Sequence, residues 1–242
     1  MDEITSLLGA EKGQYFCDLY GIEKGGNFEG KSIPNLLKRL ITEEERNHIE
    51  KLRQELFNYR EKRVHPHKDD KILTSWNGLM IAALAYSSRV LGKPEYLNAA
   101  GRAADFLLAE LRREDGRLLA RYREGEALYP AYAADYAYLI WGLIELYQAG
   151  FNLLYLKAAL ELNDDLVKYF WDQEEGGFFF YGEDAEQLLA RPKEAYDGAL
   201  PADNSAATLN LLRLARITGN VELENRAVEC LHCFGSQINA TP

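Results

Sequence analysis

Hydrophobic positions along this chain gather into three long blocks, each introduced by a polar cluster. The first runs through HPHKDDKILTSWNGLMIAALAYSSRVL, residues 65–91, with no charged side chain between Lys71 and Arg89. A helix that is apolar nearly all round needs cover on every side, so the block predicts a buried helix over 74–91. Its polar loop then sits at the mouth of a buried element, where functional groups are commonly presented. Residues 133–148 and 203–218 repeat the plan. Amphipathic stretches follow the first two blocks. Tyr96, Ala99, Ala103, Phe106, Leu107 and Leu111 share one helical face over 95–112, and Tyr155, Ala159, Leu162, Leu166 and Phe170 share one over 152–172. The last pair is predicted over 203–218 and 220–238, divided at Gly219. Gly92 with Pro94 just beyond it, and Gly150, are the expected stop signals.

Ahead of these pairs, a small helix is predicted over Ile4 to Tyr20, then a glycine-rich loop, GIEKGGNFEGKSIPNLL. Thr42 is a good N-cap, with Glu43 to Glu45 in the favoured acidic first turn of a charged outer helix running to about Arg63. DGRLLARY predicts a hairpin, EEGGFFFY a glycine turn into an extended aromatic run, and 182–202, with Pro192 and Pro201, an excursion without regular structure. Gly116 and Gly177 each follow an amphipathic helix and precede a short extended run, which marks an internal repeat. Buried helices alternating with half-exposed ones describe a ring of helical hairpins, inner helices facing the axis and outer helices facing water. Every inner helix then points the same way, and loops 64–73, 113–132 and 173–202 gather at one mouth. The expectation is an all-α fold forming a single partial domain over 1–242: a leading helix and loop over 1–41, then one outer helix and three hairpins over 42–242. The remainder of the barrel is expected from elsewhere, and the open edges of such an arc predict self-association.

Twenty-eight basic residues against 38 acidic ones give a net charge of −10. That disfavours nucleic acid and anionic membrane surfaces as partners, since both need clustered positive charge. Cys17, Cys230 and Cys233 are too few and too unevenly placed for a disulfide framework, which points to a reducing, cytoplasmic setting. No basic-then-apolar leader and no apolar run of about 18 residues is present, so no export and no membrane span is expected.

Four segments, HPHKDDKILTSWNGLMIAALA, DYAYLIWGLIELY, FWDQEEGGFFF and YDGALPADNSAATLNLLRLA, together with NFEG at 27–30, resemble the spermatogenesis-associated thioredoxin-domain family in the same order. The likeness covers roughly residues 5–235. It departs at ALPADNS, where Ala202 and Asp203 stand in place of the family's more usual Ser and small or apolar residue. The resemblance implies a partial (α/α)6 toroid similar to six-hairpin glycosidases and N-acylglucosamine 2-epimerase, without the thioredoxin-like domain that family members also carry. It implies fold more than activity. A small carbohydrate and a thioredoxin-like domain are the partners it suggests; no cofactor is implied.

Acidic residues are the strongest candidate chemistry. Glycoside hydrolysis needs two carboxyl groups, one held protonated and one ionised. Asp135 opens an otherwise charge-free inner helix and is one candidate; the competing reading is that it merely caps that helix. Asp70 has no capping duty and is the second. Asp203, heading DNSAAT, reads equally as an N-cap, and Asp197 in YDG as a turn former. Trp76 could stack on a sugar ring and Asn77 bond a hydroxyl, with Tyr136, Asp197, Asp203 and Asn204 lining the same mouth; an ordinary core Trp is the alternative. His65 and His67 would face one side of an extended segment, and Asp69 or Asp70 could be a third ligand, but nothing else has metal spacing, so loop histidines are the better reading and no metal is expected. The inner helices contain no His, which counts against epimerisation through histidine. Cys230 and Cys233 lie well inside a helix, where core packing is the better reading than redox chemistry.

Overall fold

A computed structural model of the chain describes residues 1–186 and 189–240; Gln187 and Leu188, within the predicted excursion, and Thr241 and Pro242 lie outside them. Gly9, at φ 84°, breaks the single helix expected over Ile4 to Tyr20 into α1 (Asp2–Leu8) and α2 (Ala10–Leu19). Both pack with α3 (Glu43–Arg60), which begins with a capping box between Thr42 and Glu45. Leu8, Phe16, Cys17, Ile22 and Leu52 form the core of this first unit, which spans Met1–Asp69. Asn27 of the NFEG motif staples its glycine-rich loop, donating to the carbonyls of Gly21 and Ile33 and accepting from the Ile33 N–H.

The second unit, Asp70–Pro242, is the helical arc. Inner helices α4 (Thr74–Leu91), α6 (Ala133–Gly150) and α8 (Asp203–Thr218) pack in that order, α6 in the middle. Outer helices α5 (Pro94–Glu110), α7 (Leu153–Phe170) and α9 (Val221–Cys233) lie on α4, α6 and α8 respectively. Short α10 (Gly235–Ala240) follows α9 after an interruption at Phe234, which is tucked into the core. The arc is therefore a partial (α/α)6 toroid. A small sheet decorates it: β2 (Leu119–Arg123) and β3 (Glu126–Pro130) form the expected hairpin, and β1 (Ile72–Leu73) adds a third antiparallel strand, Ile72 opposite Tyr122.

Two glycines allow α4 and α6 to meet backbone to backbone. A Cβ at Gly78 would lie 2.6 Å from the Leu139 nitrogen, and one at Gly142 would lie 2.8 Å from the Gly78 carbonyl oxygen. At the far end, buried Glu145 of α6 takes Arg89 of α4 at 3.0 Å and Arg213 of α8 at 2.7 Å, tying all three inner helices at their C-terminal ends. Arg117 is buried at 1% exposure: it donates to Asp184 at 2.8 and 3.2 Å, to the Tyr136 hydroxyl and to the Ala131 carbonyl, among the rings of Tyr136, Tyr169 and Phe170.

Two further expectations need correction. Only α6 is covered on all sides. On α4, Trp76, Met80, Tyr86 and Val90 are 62%, 57%, 54% and 64% exposed, because α4 ends the arc and has an inner neighbour on one flank only. Gly150 is the last residue of α6 rather than its stop: Phe151 takes the left-handed cap at φ 53°.

Candidate functional site

The N-terminal turns of the inner helices lie together, and backbone groups hold them there. Asp135, in the first turn of α6, accepts from the Tyr132 N–H at 2.9 Å and from the Ser75 N–H of α4 at 2.9 Å. It thus caps its own helix and ties it to the start of its neighbour. On the other side, the Tyr138 hydroxyl of α6 donates to the Pro201 carbonyl, two residues ahead of α8. Asp197 accepts from the Ala202 N–H at 2.7 Å and sets the turn that feeds α8. Asp203, first residue of α8, accepts on Oδ1 from the Asn204 N–H at 2.7 Å and side-chain amide at 3.1 Å, while its buried Oδ2 has no hydrogen-bond partner among the described residues.

Asp135 and Asp203 are both 4% exposed. Burial pushes each carboxyl up to about 6, against the donated N–H bonds that favour the ion. Tyr138 is raised by burial and then by the negative charges of Asp203, Asp197 and Asp135, so its hydroxyl senses all three acids. Sequence reasoning missed Tyr138; its one signal was a tyrosine one turn after Asp135, in a helix that also carries Tyr136, Trp141 and Tyr147.

The other candidates are placed as follows. Trp76 is in the first turn of α4 with most of its ring in the open, and Asn77 donates back to the Leu73 carbonyl at 2.8 Å. Tyr136 is fully buried, its hydroxyl accepting from Arg117 and the Leu118 N–H. Asn204 is also spent: it donates to the carbonyls of Phe178 and Glu194 and accepts from the Phe178 N–H, cinching α8 to the preceding turn. Asp70 pairs with Arg123 at 2.8 Å on the exposed side of the sheet. Among the described residues, no group of three or more His, Cys, Asp or Glu is placed to hold a metal. Cys230 is buried and donates to Asn204, its thiol pushed up to about 11 by burial, and Cys233 is approached by Lys193 at 3.6 Å. No helix among the described residues is long and apolar enough to cross a membrane.

Parallel inner helices, each returned by an outer helix, define the α/α-toroid class, present here as an open arc of three hairpins. Solved structures agree on the fold. The cellobiose 2-epimerase of Spirochaeta thermophila matches 68% of this chain and 43% of its own at a TM-score of 0.56 and 20% identity. A family 76 glycoside hydrolase, an α-mannanase of Bacteroides thetaiotaomicron, matches 80% of this chain and 56% of its own at 0.59 and 16% identity. In sequence, the chain is related to the spermatogenesis-associated proteins that its motifs resemble. It is 35% identical to human spermatogenesis-associated protein 20 over 199 residues, 78% of this chain and 25% of that protein. The chain spans between 25% and 37% of the length of the curated relatives it matches. No family model matches it.

Proposed function

We propose that the mouth of the arc is a carbohydrate site whose proton-transfer groups are Asp203 and Asp135. One observation carries this reading. Two buried carboxyl groups, each near half-protonation at pH 6, head adjacent inner helices and act on one tyrosine between them. A carboxyl poised there can give a proton to a leaving oxygen or take one from water or a sugar hydroxyl. Asp203 is the stronger candidate of the two, since both Asp135 oxygens are engaged by N–H donors while one Asp203 oxygen is not. Asp70, the base candidate from sequence, is ion-paired in solvent with Arg123; we assign it to the rim. Trp76 offers an exposed ring for stacking on a sugar face, with Asn77 next to it in the first turn of α4. Solved epimerases and glycoside hydrolases sharing the fold support a carbohydrate ligand, by analogy of fold. Thermal-shift titration with a panel of sugars tests the reading: stabilisation by one sugar class, lost in Asp203→Asn and Asp135→Asn, is expected, and a well-folded chain that no sugar stabilises would refute it.

The bare stripe on α4 favours a second reading, a non-catalytic module that docks against a protein partner such as a thioredoxin-like domain. It predicts that Met80→Glu weakens that docking while substitutions at Asp135 and Asp203 leave it unchanged.

A further inference from the structure

Cations around the inner helices are tied to acids of the fold. Arg117 holds Asp184, Lys193 holds Asp172, Arg89 and Arg213 share Glu145, and Arg123 pairs with Asp70 at 2.8 Å and Glu124 at 3.2 Å. Arg121 differs. No carboxylate among the described residues pairs with it, although the chain carries 38 acids against 28 bases. Its guanidinium lies over the Tyr129 ring at 5.0 Å, and its covered Nε has no acceptor among the described residues. Packing rather than hydrogen bonding therefore holds the group, and its terminal N–H donors are left unused.

The hairpin presents this arginine beside the mouth. Arg121 stands opposite Leu73, the residue before α4, and opposite Leu128 of β3, the strand that leads to α6. Tyr122, on the other face of β2, packs edge-on against Phe106 of α5 at 5.1 Å, so the face with Arg121 and Arg123 looks away from α5. The Thr74 hydroxyl donates to the Leu119 carbonyl at 2.6 Å and the Ala131 N–H to the Leu118 carbonyl at 2.9 Å, fixing the hairpin to both helix starts. A cavity of about 540 Å³ opens over this face, lined by Arg121, Arg123, Glu124, Gly125 and Glu126. Its volume lies in the range of small-molecule sites. Of its two acids, Glu124 is taken by Arg123, and Glu126 is exposed at the rim. A further observation concerns the platform. Tyr129 takes a left-handed φ of 65°, rare for an aromatic residue, while its ring is 60% exposed. Strain of this kind gathers at binding sites, where it fixes a side chain in advance of the ligand.

We propose that this face of the hairpin is an oxyanion subsite at the edge of the mouth, where Arg121 receives the carboxylate of an acidic sugar and Glu126 accepts from a ring hydroxyl. The inference rests on the carbohydrate reading above and narrows it to uronates. Two terminal N–H donors of one guanidinium match the two oxygens of a carboxylate. With Glu126 alongside, one negative charge is received better than the double charge of a phosphate. Asp197 and Asp203 belong to α8, on the other flank of α6 from α4.

The test is isothermal titration of the whole chain at pH 7 with glucuronate, glucuronamide, glucose and glucose 6-phosphate. The amide keeps the shape of the carboxylate and removes its charge, so the first two form the decisive pair. Glucuronate should bind at least about tenfold more tightly than glucuronamide or glucose, and more tightly than glucose 6-phosphate, as expected for a bidentate charge-assisted contact. Arg121→Gln should erase that preference while leaving the affinity for glucose in place. Arg121→Lys keeps the charge and loses the fork, so it should cut the preference about threefold. Glucuronamide or glucose binding as tightly as glucuronate, or equal losses for glucuronate and glucose in Arg121→Gln, would overturn this inference and leave the carbohydrate site standing. Tighter binding of glucose 6-phosphate would overturn the assignment to uronates. Binding of none of the four would overturn the carbohydrate reading, and this inference with it.

Discussion

Substituting Gly78 by alanine should loosen the contact on which the mouth is built. The new Cβ would lie 2.6 Å from the Leu139 nitrogen, 2.6 Å from the Tyr138 carbonyl carbon and 2.7 Å from its oxygen. All three are backbone atoms of α6, so no side-chain rotation can relieve them. Nor can α6 retreat, because Ala159, Leu162 and Leu166 of α7 are fully covered against the same core. The helices must part by about 1 Å to restore ordinary van der Waals separation. Forced repacking of this kind costs about 3 kcal/mol, at the upper end for overpacking because backbone must move. Alanine returns about 1 kcal/mol through its better helix propensity. A net loss of about 2 kcal/mol follows, or a fall in Tm of roughly 4–8 °C for a unit of this size. Thermal unfolding followed by circular dichroism measures it, with Gly235→Ala as control, since a Cβ there meets nothing within 4 Å. The same displacement would pull the Ser75 N–H away from Asp135 and weaken any ligand bound at the mouth. An unchanged or higher Tm for Gly78→Ala would refute the close-packing argument.

Glu145→Gln should cost about 2 kcal/mol in urea unfolding, because Arg89 and Arg213 then face each other without their shared carboxylate; partial exposure of Arg89 keeps the loss below that of a fully buried pair. No measurable change would show that water already screens the cluster. Phe151→Gly should raise stability by about 0.5–1 kcal/mol, since it relieves a left-handed backbone on a residue 76% exposed; a lower Tm would assign that ring a packing role. For Asp203 the sign is the reverse of the usual carboxylate. Its folded-state value, about 6, lies above the unfolded one, so the folded chain holds the extra proton between roughly pH 4 and 6. Stability contributed by this group is fully present below pH 4 and lost as pH rises through 6, by about 3 kcal/mol in all. The stability of wild type relative to Asp203→Asn should therefore fall from pH 4 to pH 7, and a flat difference would refute the raised value.

Element boundaries in the arc were legible where one physical signal dominated. The charge-free run from Thr74 and the Gly92 stop mark α4 at both ends, and Asp203 to Gly219 brackets α8 equally well. Failures came where two signals competed. Gly150 looked like a stop, but it is the last residue of α6, and Phe151 takes the left-handed cap instead. Gly9 sat inside the helix expected over Ile4 to Tyr20, and only its φ of 84° shows that it breaks the helix. The strand at Ile72 and Leu73 was invisible because two residues carry no period; its existence depends on β2 being alongside.

The site was legible as a place and illegible as a set of roles, for a reason that applies to any buried acid. An aspartate heading a helix is written the same way whether it caps, catalyses or does both; what separates the cases is the partner of each oxygen, and partners come from distant segments. Asp135 reaches Ser75, 60 positions away, so its capping duty doubles as a link between helices. Asp203 bonds only to its neighbour Asn204 and is left with one bare oxygen in a covered position. Arg117 reads as a turn arginine after a glycine, yet it is a fully buried cation whose removal would strand Asp184 and Tyr136 together. Arg117→Met should thus unfold the arc's mouth, seen as lost protection of the Ala131 and Leu118 region in hydrogen exchange, before it changes any inner helix. Uniform loss of protection across α4, α6 and α8 would instead make Arg117 part of the common core and remove the distinction between scaffold and mouth drawn here.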